Sequence, residues 1–374
     1  MTRLVLRLLA LTLLPAAPLL ATVTSTPAGT TADGKKITWY TLTNKQGLRV
    51  RILDFGPTLT SVETPDRDGH LGDITLGQNS LEGWLANRPH FGTMLGRFAN
   101  RLAYGKMVID GRTYTIPTNS VAAGIPATIH GGAVGFDKQV WKSRAIKETN
   151  SVEMTLVSPN GDQGFPGTLS VSVTFILNDS DELRIVCLAT ADHDTVVNLS
   201  NHTYWNLSCD GAKDVLGDSV QIEADKYLPM NAGHIPNGKI EPVEGTPFDF
   251  TTPKVIGEQL KQPDEQLAMA GGYDHCMVLR KSTSVRLAAR VSDPASGRVL
   301  ELYSDQPGVQ FYTANSVAKG FVGKGGVAYV PHAAFCLEPE KFPNSPNEPS
   351  FPSAELRLGE TYRQTMVWRF SVAK

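Results

Sequence analysis

The sequence is poor in the features that mark redox, metal-thiolate and nucleic-acid-binding proteins. Its four cysteines, Cys187, Cys209, Cys276 and Cys336, are widely spaced and include no C-x-x-C pair. The formal net charge is only −2 at pH 7, so the chain lacks the excess charge that attracts nucleic acid or an anionic membrane. Because Cys187 and Cys336 lie in apolar runs, we expect free buried thiols, with a single disulfide as the alternative.

The motifs of several large enzyme classes are missing as well. The chain has no H-x-H or H-E-x-x-H spacing for zinc, no G-x-S-x-G nucleophile elbow, no P-loop and no G-x-G-x-x-G dinucleotide fingerprint. We therefore expect neither a metal nor a cofactor at the site of chemistry.

Helical periodicity is also scarce, and a period of two dominates instead. Residues 169–175, 285–291 and 364–370 alternate apolar and polar side chains, as half-buried strands do. Asp110-Gly111 lies between two such runs and predicts a hairpin turn. Short helices are expected only at 81–86 and in 257–269, which Pro263 interrupts. Many short strands with turns between them predict an all-β fold, a large single-domain antiparallel β-sandwich.

The N-terminus has the layout of a secretory signal peptide. Arg3 and Arg7 precede an apolar run at 8–14, which is too short to span a membrane. A stretch of small residues that ends at Ala21 follows, as at a signal-peptide cleavage site. We expect a signal peptide at 1–21, a polar leader at 22–35 and one domain at 36–374. The mature protein is then exported to a periplasm or secreted, with no membrane segment after cleavage.

Two stretches point most directly to chemistry. Glu338 precedes a proline-rich segment, and His202 lies within Asn201-His202-Thr203-Tyr204-Trp205-Asn206-Leu207. A carboxylate and an imidazole suffice for general acid–base catalysis on an uncharged substrate. Aromatic rings such as Tyr204 stack on the C–H faces of sugars, while amides and imidazoles bind hydroxyls, so this run is typical of a sugar site.

Taken together, the polar motifs resemble those of the aldose 1-epimerase (galactose mutarotase) family. They occur in the family's order across nearly the whole chain after the leader, at Gly96–Arg101, Thr128–Gly132, Asn201–Leu207, Gly272–His275, Gly308–Tyr312 and Leu337–Asn347. The resemblance implies a single β-sandwich that interconverts the α and β anomers of free hexoses such as glucose and galactose. The departures from the family pattern are the export signal and an insertion at 120–127.

The resemblance also implies a role for each residue. Glu338 is expected to be the proton acceptor, His202 the proton donor, and His130 an assisting group near the ring oxygen. The sugar hydroxyls are expected to be held by the polar side chains of the same motifs, namely Asn100, Arg101, Asp274 and Gln310.

Other functions remain open from the residues alone. A glycoside hydrolase needs two carboxylates, and Asp274 could be the second, but glycosidases seldom use a histidine as proton donor. A related sugar epimerase, or a sugar-binding module without activity, also fits a β-sandwich with a polar cavity. The expected partner in each case is a small sugar. The preferred sugar stays undetermined, and the oligomeric state is left as monomer or homodimer.

Overall fold

The computed structural model describes residues 20–86, 89–317 and 320–373. The predicted signal peptide lies almost wholly outside these residues. Within them, no helix combines the length and the apolar character needed to cross a lipid bilayer.

Strands account for most of the regular secondary structure in the described chain. In its first half they are β1 Thr22–Thr30, β2 Lys36–Thr43, β3 Arg49–Leu53, β4 Thr58–Pro65, β5 Leu71–Asp73, β6 Met94–Leu95, β7 Arg101–Ala103, β8 Lys106–Ile109, β9 Arg112–Thr115, β10 Ser120–Ala122, β11 Ile125–Ile129, β12 Lys142–Ile146, β13 Ser151–Ser158, β14 Leu169–Leu177 and β15 Glu182–Ala191. The remainder are β16 Thr195–Val196, β17 Ser200–Asn201, β18 Ser219–Ile222, β19 Ala224–Tyr227, β20 Glu241–Pro242, β21 Lys254–Val255, β22 Asp274–Leu279, β23 Arg286–Ser292, β24 Arg298–Ser304, β25 Gly308–Tyr312, β26 Cys336–Glu340, β27 Glu355–Leu356 and β28 Tyr362–Val372.

The helices are short and lie where the sequence predicts them. They are α1 Leu81–Ala86, α2 Ile256–Leu260 and α3 Glu265–Ala270. Pro263 falls between α2 and α3, because a proline cannot continue a helix. The Asp264 side chain caps α3 by accepting from two backbone N–H groups, and Gly271 ends it with a left-handed φ of 66°.

Three larger sheets form the framework. The largest has nine strands in the order β12-β13-β14-β15-β28-β24-β23-β18-β21, and two five-stranded sheets have the orders β1-β2-β3-β4-β5 and β20-β19-β22-β25-β26. Neighbouring strands in all three pair antiparallel, as in β15 with β28 and β25 with β26. The predicted antiparallel β-sandwich is therefore confirmed.

The main core lies between the nine-stranded sheet and the two five-stranded sheets. Alternate residues of β14 from Leu169 to Leu177 are buried, as the period of two predicts. Their side chains join one apolar cluster with residues of β3, β25 and β26, among them Ile52, Phe311 and Leu337. Trp205 and Trp368 meet in this cluster with ring centroids 4.8 Å apart.

Two local predictions can be compared directly with the structure. The hairpin at Asp110-Gly111 is confirmed, because both residues have positive φ and Ile109 pairs with Arg112 across the turn. The polar leader needs correction, because Thr22–Thr30 forms β1 and pairs along its length with β2. Hydroxyl-bearing residues pair through their backbones as well as apolar ones do, so polarity alone did not reveal this edge strand. All four cysteines are unpaired, as expected.

We expect Trp368→Ala to lower the free energy of unfolding by about 3–5 kcal/mol, because it removes a fully buried ring and leaves a cavity beside Trp205. Denaturant titration measures the change. Val157→Ala, at a side chain that is 62% exposed, is the control and is expected to change stability little. A loss in Trp368→Ala no larger than in the control would contradict this account of the core.

Candidate functional site

Three predicted residues are brought together by the register of β22, β25 and β26. Gln310 of β25 lies directly opposite Glu338 of β26, while Asp274 of β22 pairs with Tyr312 of β25. Because side chains alternate across a strand, these residues share one face of the sheet. The Gln310 amide donates to Asp274 Oδ1 over 2.8 Å, which fixes both side chains.

Asn100 and Arg101 lie where β7 begins, and His130 directly follows β11, which pairs with β7. The His130 backbone N–H donates to the Asn100 carbonyl over 3.0 Å, and the Asn100 backbone N–H donates to His130 Nδ1 over 3.2 Å. Since Nδ1 accepts, a neutral His130 ring carries its proton on Nε2. Arg101 Nη2 lies 3.5 Å from Asp274 Oδ2 and links this group to β22.

The glycine beside His130 serves the fold. Gly131 has a φ of 83°, and a Cβ there would lie 1.8 Å from the Gly96 carbonyl oxygen. This glycine therefore allows the chain at Gly131 to pack closely against the backbone of Gly96, and the close contact is with the protein itself.

His202 follows the short strand β17 and stacks on Tyr204. Their ring planes differ by 4°, with centroids 4.9 Å apart. The Tyr204 hydroxyl donates to the Pro89 carbonyl over 2.9 Å, and only 2% of the residue is exposed. Tyr204 thus holds the His202 ring in place by stacking on one of its faces. A direct contact between Tyr204 and a sugar stays a prediction. Trp205 faces the core, so Tyr204 alone of the two lies at the cavity.

The asparagines around His202 are part of the scaffold. The side-chain amides of Asn198, Asn201 and Asn206 donate to backbone carbonyls of distant segments, including those of Ala99 and Gly92. Each asparagine is at most 1% exposed. The sequence suggested that such amides bind sugar hydroxyls, whereas the structure uses them to satisfy buried carbonyl groups.

All the predicted site residues line one cavity of about 150 Å³. It is smaller than the roughly 300–1,000 Å³ of sites for drug-sized ligands, so its size suits a monosaccharide. The lining residues are Pro89, His90, Asn100, Arg101, Ile129, His130, His202, Tyr204, Asp274, Gln310, Tyr312, Ser316 and Glu338.

His202 and Glu338 form the central pair of this cavity. His202 Nε2 lies 3.8 Å from Glu338 Oε1, and both residues are buried. Burial, together with the neighbouring His90, lowers the pKa of His202 to about 3. Burial and the nearby Glu340 and Asp274 raise the pKa of Glu338 well above its usual range. These opposite shifts favour a neutral imidazole beside a protonated carboxyl group, so that the pair shares one proton.

Two other groups in the cavity have pKa values shifted downward. Burial, aided by His90 and His202, lowers the pKa of His130 well below 6.5. Burial alone would raise the pKa of Asp274, but Arg101 and hydrogen bonds from His234 and Gln310 outweigh it and lower the value. Asp274 is therefore an ionised hydrogen-bond acceptor, and His130 is a neutral donor.

Sequence reasoning missed two carboxylates and a histidine at this site. Glu340 lies two residues after Glu338 on the same strand face and is fully buried; its Oε1 accepts from Asn100 Nδ2 over 3.1 Å. Strand alternation could have revealed it. His90 lines the cavity and contacts the buried Asp137, but no local sequence signal marks either residue.

Potential metal ligands also occur among the described residues. Donor atoms of His202, Cys336 and Glu338 lie within 4.8 Å of one another, and so do those of Asp66, Asp68 and His70 at the surface. Three neighbouring donors do not by themselves define a metal site, and the His202–Glu338 geometry equally suits proton transfer. Metal-independent chemistry stays a prediction.

Comparisons with known proteins agree with this geometry. The family model described as aldose 1-epimerase matches residues 38–369. Galactose mutarotase of Rattus norvegicus is 43% identical over 326 residues, covering 87% of this chain and 92% of that protein. Aldose 1-epimerase of Escherichia coli K12 is 36% identical over 342 residues, covering 90% and 96%.

Solved structures of aldose epimerases also resemble this protein. An aldose epimerase homologue from C. elegans superposes with a TM-score of 0.82 at 30% identity, covering 90% of this chain and 99% of that one. Galactose 1-epimerase from Lactobacillus acidophilus also has a TM-score of 0.82, at 26% identity, covering 95% and 100%. The chain belongs to the aldose 1-epimerase family.

The buried carboxyl of Glu340 makes a prediction about stability and pH. Burial, with Asp274 nearby, raises the pKa of Glu340 well above 4.5, despite the hydrogen bond from Asn100. The folded state therefore holds this proton more tightly than the unfolded chain does. As a result, the free energy of unfolding falls as the pH rises above the pKa that the Glu340 side chain has in the unfolded chain. We expect Glu340→Gln to lose less stability than wild type between about pH 5 and about pH 8.

Denaturant titrations across that range measure the effect. Glu148→Gln, at an exposed position, is the control and should follow the wild-type curve. Parallel curves for Glu340→Gln and wild type would show that Glu340 ionises as freely in the folded protein as in the unfolded chain.

Proposed function

We propose that this protein is an aldose 1-epimerase that interconverts the α and β anomers of free hexoses such as glucose and galactose. The observation that carries the proposal is the His202–Glu338 pair, 3.8 Å apart in a buried, monosaccharide-sized cavity. Membership of the family and relatives named galactose mutarotase and aldose 1-epimerase support it.

In the proposed reaction, the pair opens the pyranose ring by moving two protons. Glu338 accepts the proton of the anomeric hydroxyl, while His202 donates a proton to the ring oxygen. The bond between C1 and the ring oxygen breaks, and an open-chain aldehyde forms. Rotation about C1–C2 presents the other face of the carbonyl, and reclosure with the roles exchanged gives the opposite anomer.

The pKa shifts of His202 and Glu338 fit the second half of this cycle. Ring opening leaves Glu338 protonated and His202 neutral, and burial favours that same state. Before ring opening, the proton must lie on His202 instead. Sugar hydroxyls that donate to Glu338 stabilise its carboxylate and so shift the shared proton toward His202.

The polar residues around the pair are suited to a neutral ligand. Asp274 offers carboxylate oxygens, and Arg101 offers donors, so together they can bind adjacent hydroxyls. Asn100 and Gln310 are already positioned by hydrogen bonds within the site. Nε2 of His130 is a donor that can assist at the ring oxygen.

A glycoside hydrolase is less well supported. Asp274, the second carboxylate that such a mechanism needs, is held by Arg101 and Gln310 and has a lowered pKa. A binding module without activity does not require the buried His202–Glu338 pair. We rank both below the epimerase.

Polarimetry on freshly dissolved α-D-galactose tests the proposal. We expect wild-type protein to accelerate the change in rotation with saturation, including after treatment with a chelator. Glu338→Gln keeps the shape of the side chain but cannot accept a proton, so turnover should fall by ~10²–10⁴ with little change in sugar binding. His202→Asn should lose a similar factor, and the double variant should lose less than the product of the two.

Glu148→Gln and His193→Asn, both at exposed positions, are the matched controls. A Glu338→Gln variant with near-normal turnover and a raised Michaelis constant would make Glu338 a hydroxyl ligand instead of the base. Release of reducing sugar from an oligosaccharide would favour the hydrolase.

We further propose that the protein is exported, most simply to a periplasm. Arg3, Arg7 and the apolar run at 8–14 support this. Fractionation of the source cells should recover protein that begins near Thr22. Recovery of a chain with an intact Met1 from the cytosol would refute export.

A further inference from the structure

His90 lines the sugar cavity beside the proposed acid–base pair and contacts the buried carboxylate of Asp137. His90 Nδ1 lies 2.9 Å from Asp137 Oδ2. His90 precedes β6 and has a left-handed φ of 61°, while Asp137 lies in the 3₁₀ turn Phe136–Lys138. Two distant segments thus meet through this contact at the cavity wall.

Asp137 fixes which nitrogen of His90 carries the proton. Only 2% of Asp137 is exposed, and Lys138 Nζ lies 3.8 Å from its Oδ2. A carboxylate oxygen accepts hydrogen bonds, so His90 Nδ1 is the donor in this contact. In the neutral ring, Nε2 at the opposite edge is therefore an acceptor. The neutral form of His90 is thus an oriented acceptor, whereas the neutral ring of the neighbouring His130 presents a donor on Nε2.

The position of His90 relates it to one end of the substrate. Its ring centroid lies 4.8 Å from that of His130 and 6.3 Å from that of His202. In the proposed function, on which this inference rests, these two histidines act at the ring oxygen. The carbon next to the ring oxygen, on the side away from C1, carries the hydroxymethyl group of a hexopyranose. A pentopyranose has only hydrogen there.

We propose that His90, oriented by Asp137, accepts a hydrogen bond from the hydroxymethyl group of a hexose and makes the site selective for hexoses over sugars that lack this hydroxyl. The side chain of His90 is 19% exposed, so it lies where the cavity meets solvent. An acceptor left unpaired in a largely desolvated wall is costly, and that cost provides the discrimination. At a partly exposed position, we expect a factor of ~10- to 100-fold.

Three sugars separate the contribution of the hydroxyl of the hydroxymethyl group from that of its carbon. D-Galactose carries the hydroxymethyl group, D-fucose carries a methyl group in its place, and L-arabinose has the same ring configuration with hydrogen there. The ratio of kcat/KM between galactose and fucose, each corrected for its uncatalysed rate, isolates the hydroxyl. Wild-type protein should prefer galactose by ~10- to 100-fold.

His90→Phe keeps a planar ring but removes the acceptor, so it is the informative variant. We expect it to lower kcat/KM for galactose, mainly through KM, by a clearly larger factor than for fucose and arabinose, so that the ratio of kcat/KM between galactose and fucose falls toward one. Asp137→Asn should reduce the preference as well, because the acceptor orientation is no longer fixed. His193→Phe, at an exposed histidine, is the control and should behave as wild type.

Other outcomes overturn the inference. Equal corrected kcat/KM for galactose and fucose in wild type would do so while leaving the proposed epimerase intact. An equal loss of kcat/KM for all three sugars in His90→Phe would show that the His90–Asp137 contact only stabilises the fold and does not select the sugar.

Calorimetric measurement of galactose and fucose binding tests whether His90 recognises the hydroxymethyl group even if no turnover is seen. A wild-type preference in binding that His90→Phe abolishes supports the subsite whatever the reaction, whereas equal binding of the two sugars overturns it. Absence of turnover with all sugars would count against the proposed epimerase alone.

Discussion

The site depends on the hydrogen-bonded register of β22, β25 and β26. Alternation along these strands sends Gln310 and Glu338 toward the cavity and Phe311 and Leu337 into the core. A slip of one residue would exchange the two sets, placing carboxylates among apolar side chains and apolar side chains against the sugar. The same backbone ladder therefore holds the fold together and positions the chemistry.

A second consequence follows from placing Glu338 and Glu340 on the same buried face. Two neighbouring carboxyl groups in a desolvated site resist joint ionisation, and Asp274 adds a third acid nearby. Arg101 is the cation that offsets part of this cost. The two carboxyl groups therefore hold a proton more tightly than an exposed carboxyl group would.

The sequence predicted the elements better than the contacts between them. Strands, the Asp110-Gly111 hairpin and the helices beside Pro263 follow from alternation, turn residues and proline, which are local signals. The edge strand β1 was missed because backbone pairing leaves little trace in polar residues. Every predicted site residue does line the cavity, since the family resemblance covers motifs that are far apart in the chain.

What the sequence could not show was the purpose of each polar group. Asn201 and Asn206 resemble sugar ligands in sequence, yet their amides bond to backbone carbonyls. Trp205 resembles a stacking platform, yet it packs in the core on Trp368. His90 and Asp137 are 47 residues apart and meet only through tertiary structure, so no local pattern could reveal the pair.

The buried asparagines have a consequence for how the protein can be made. Asn198, Asn201 and Asn206 each begin a sequence that oligosaccharyltransferases recognise, and each is at most 1% exposed once folded. These enzymes act on chains as they enter the endoplasmic reticulum, before such residues are covered. A glycan attached then could not be accommodated around Ala99 or Gly92. Secretion from a eukaryotic host therefore sets glycosylation and folding in direct competition, a conflict that does not arise in a compartment without the transferase.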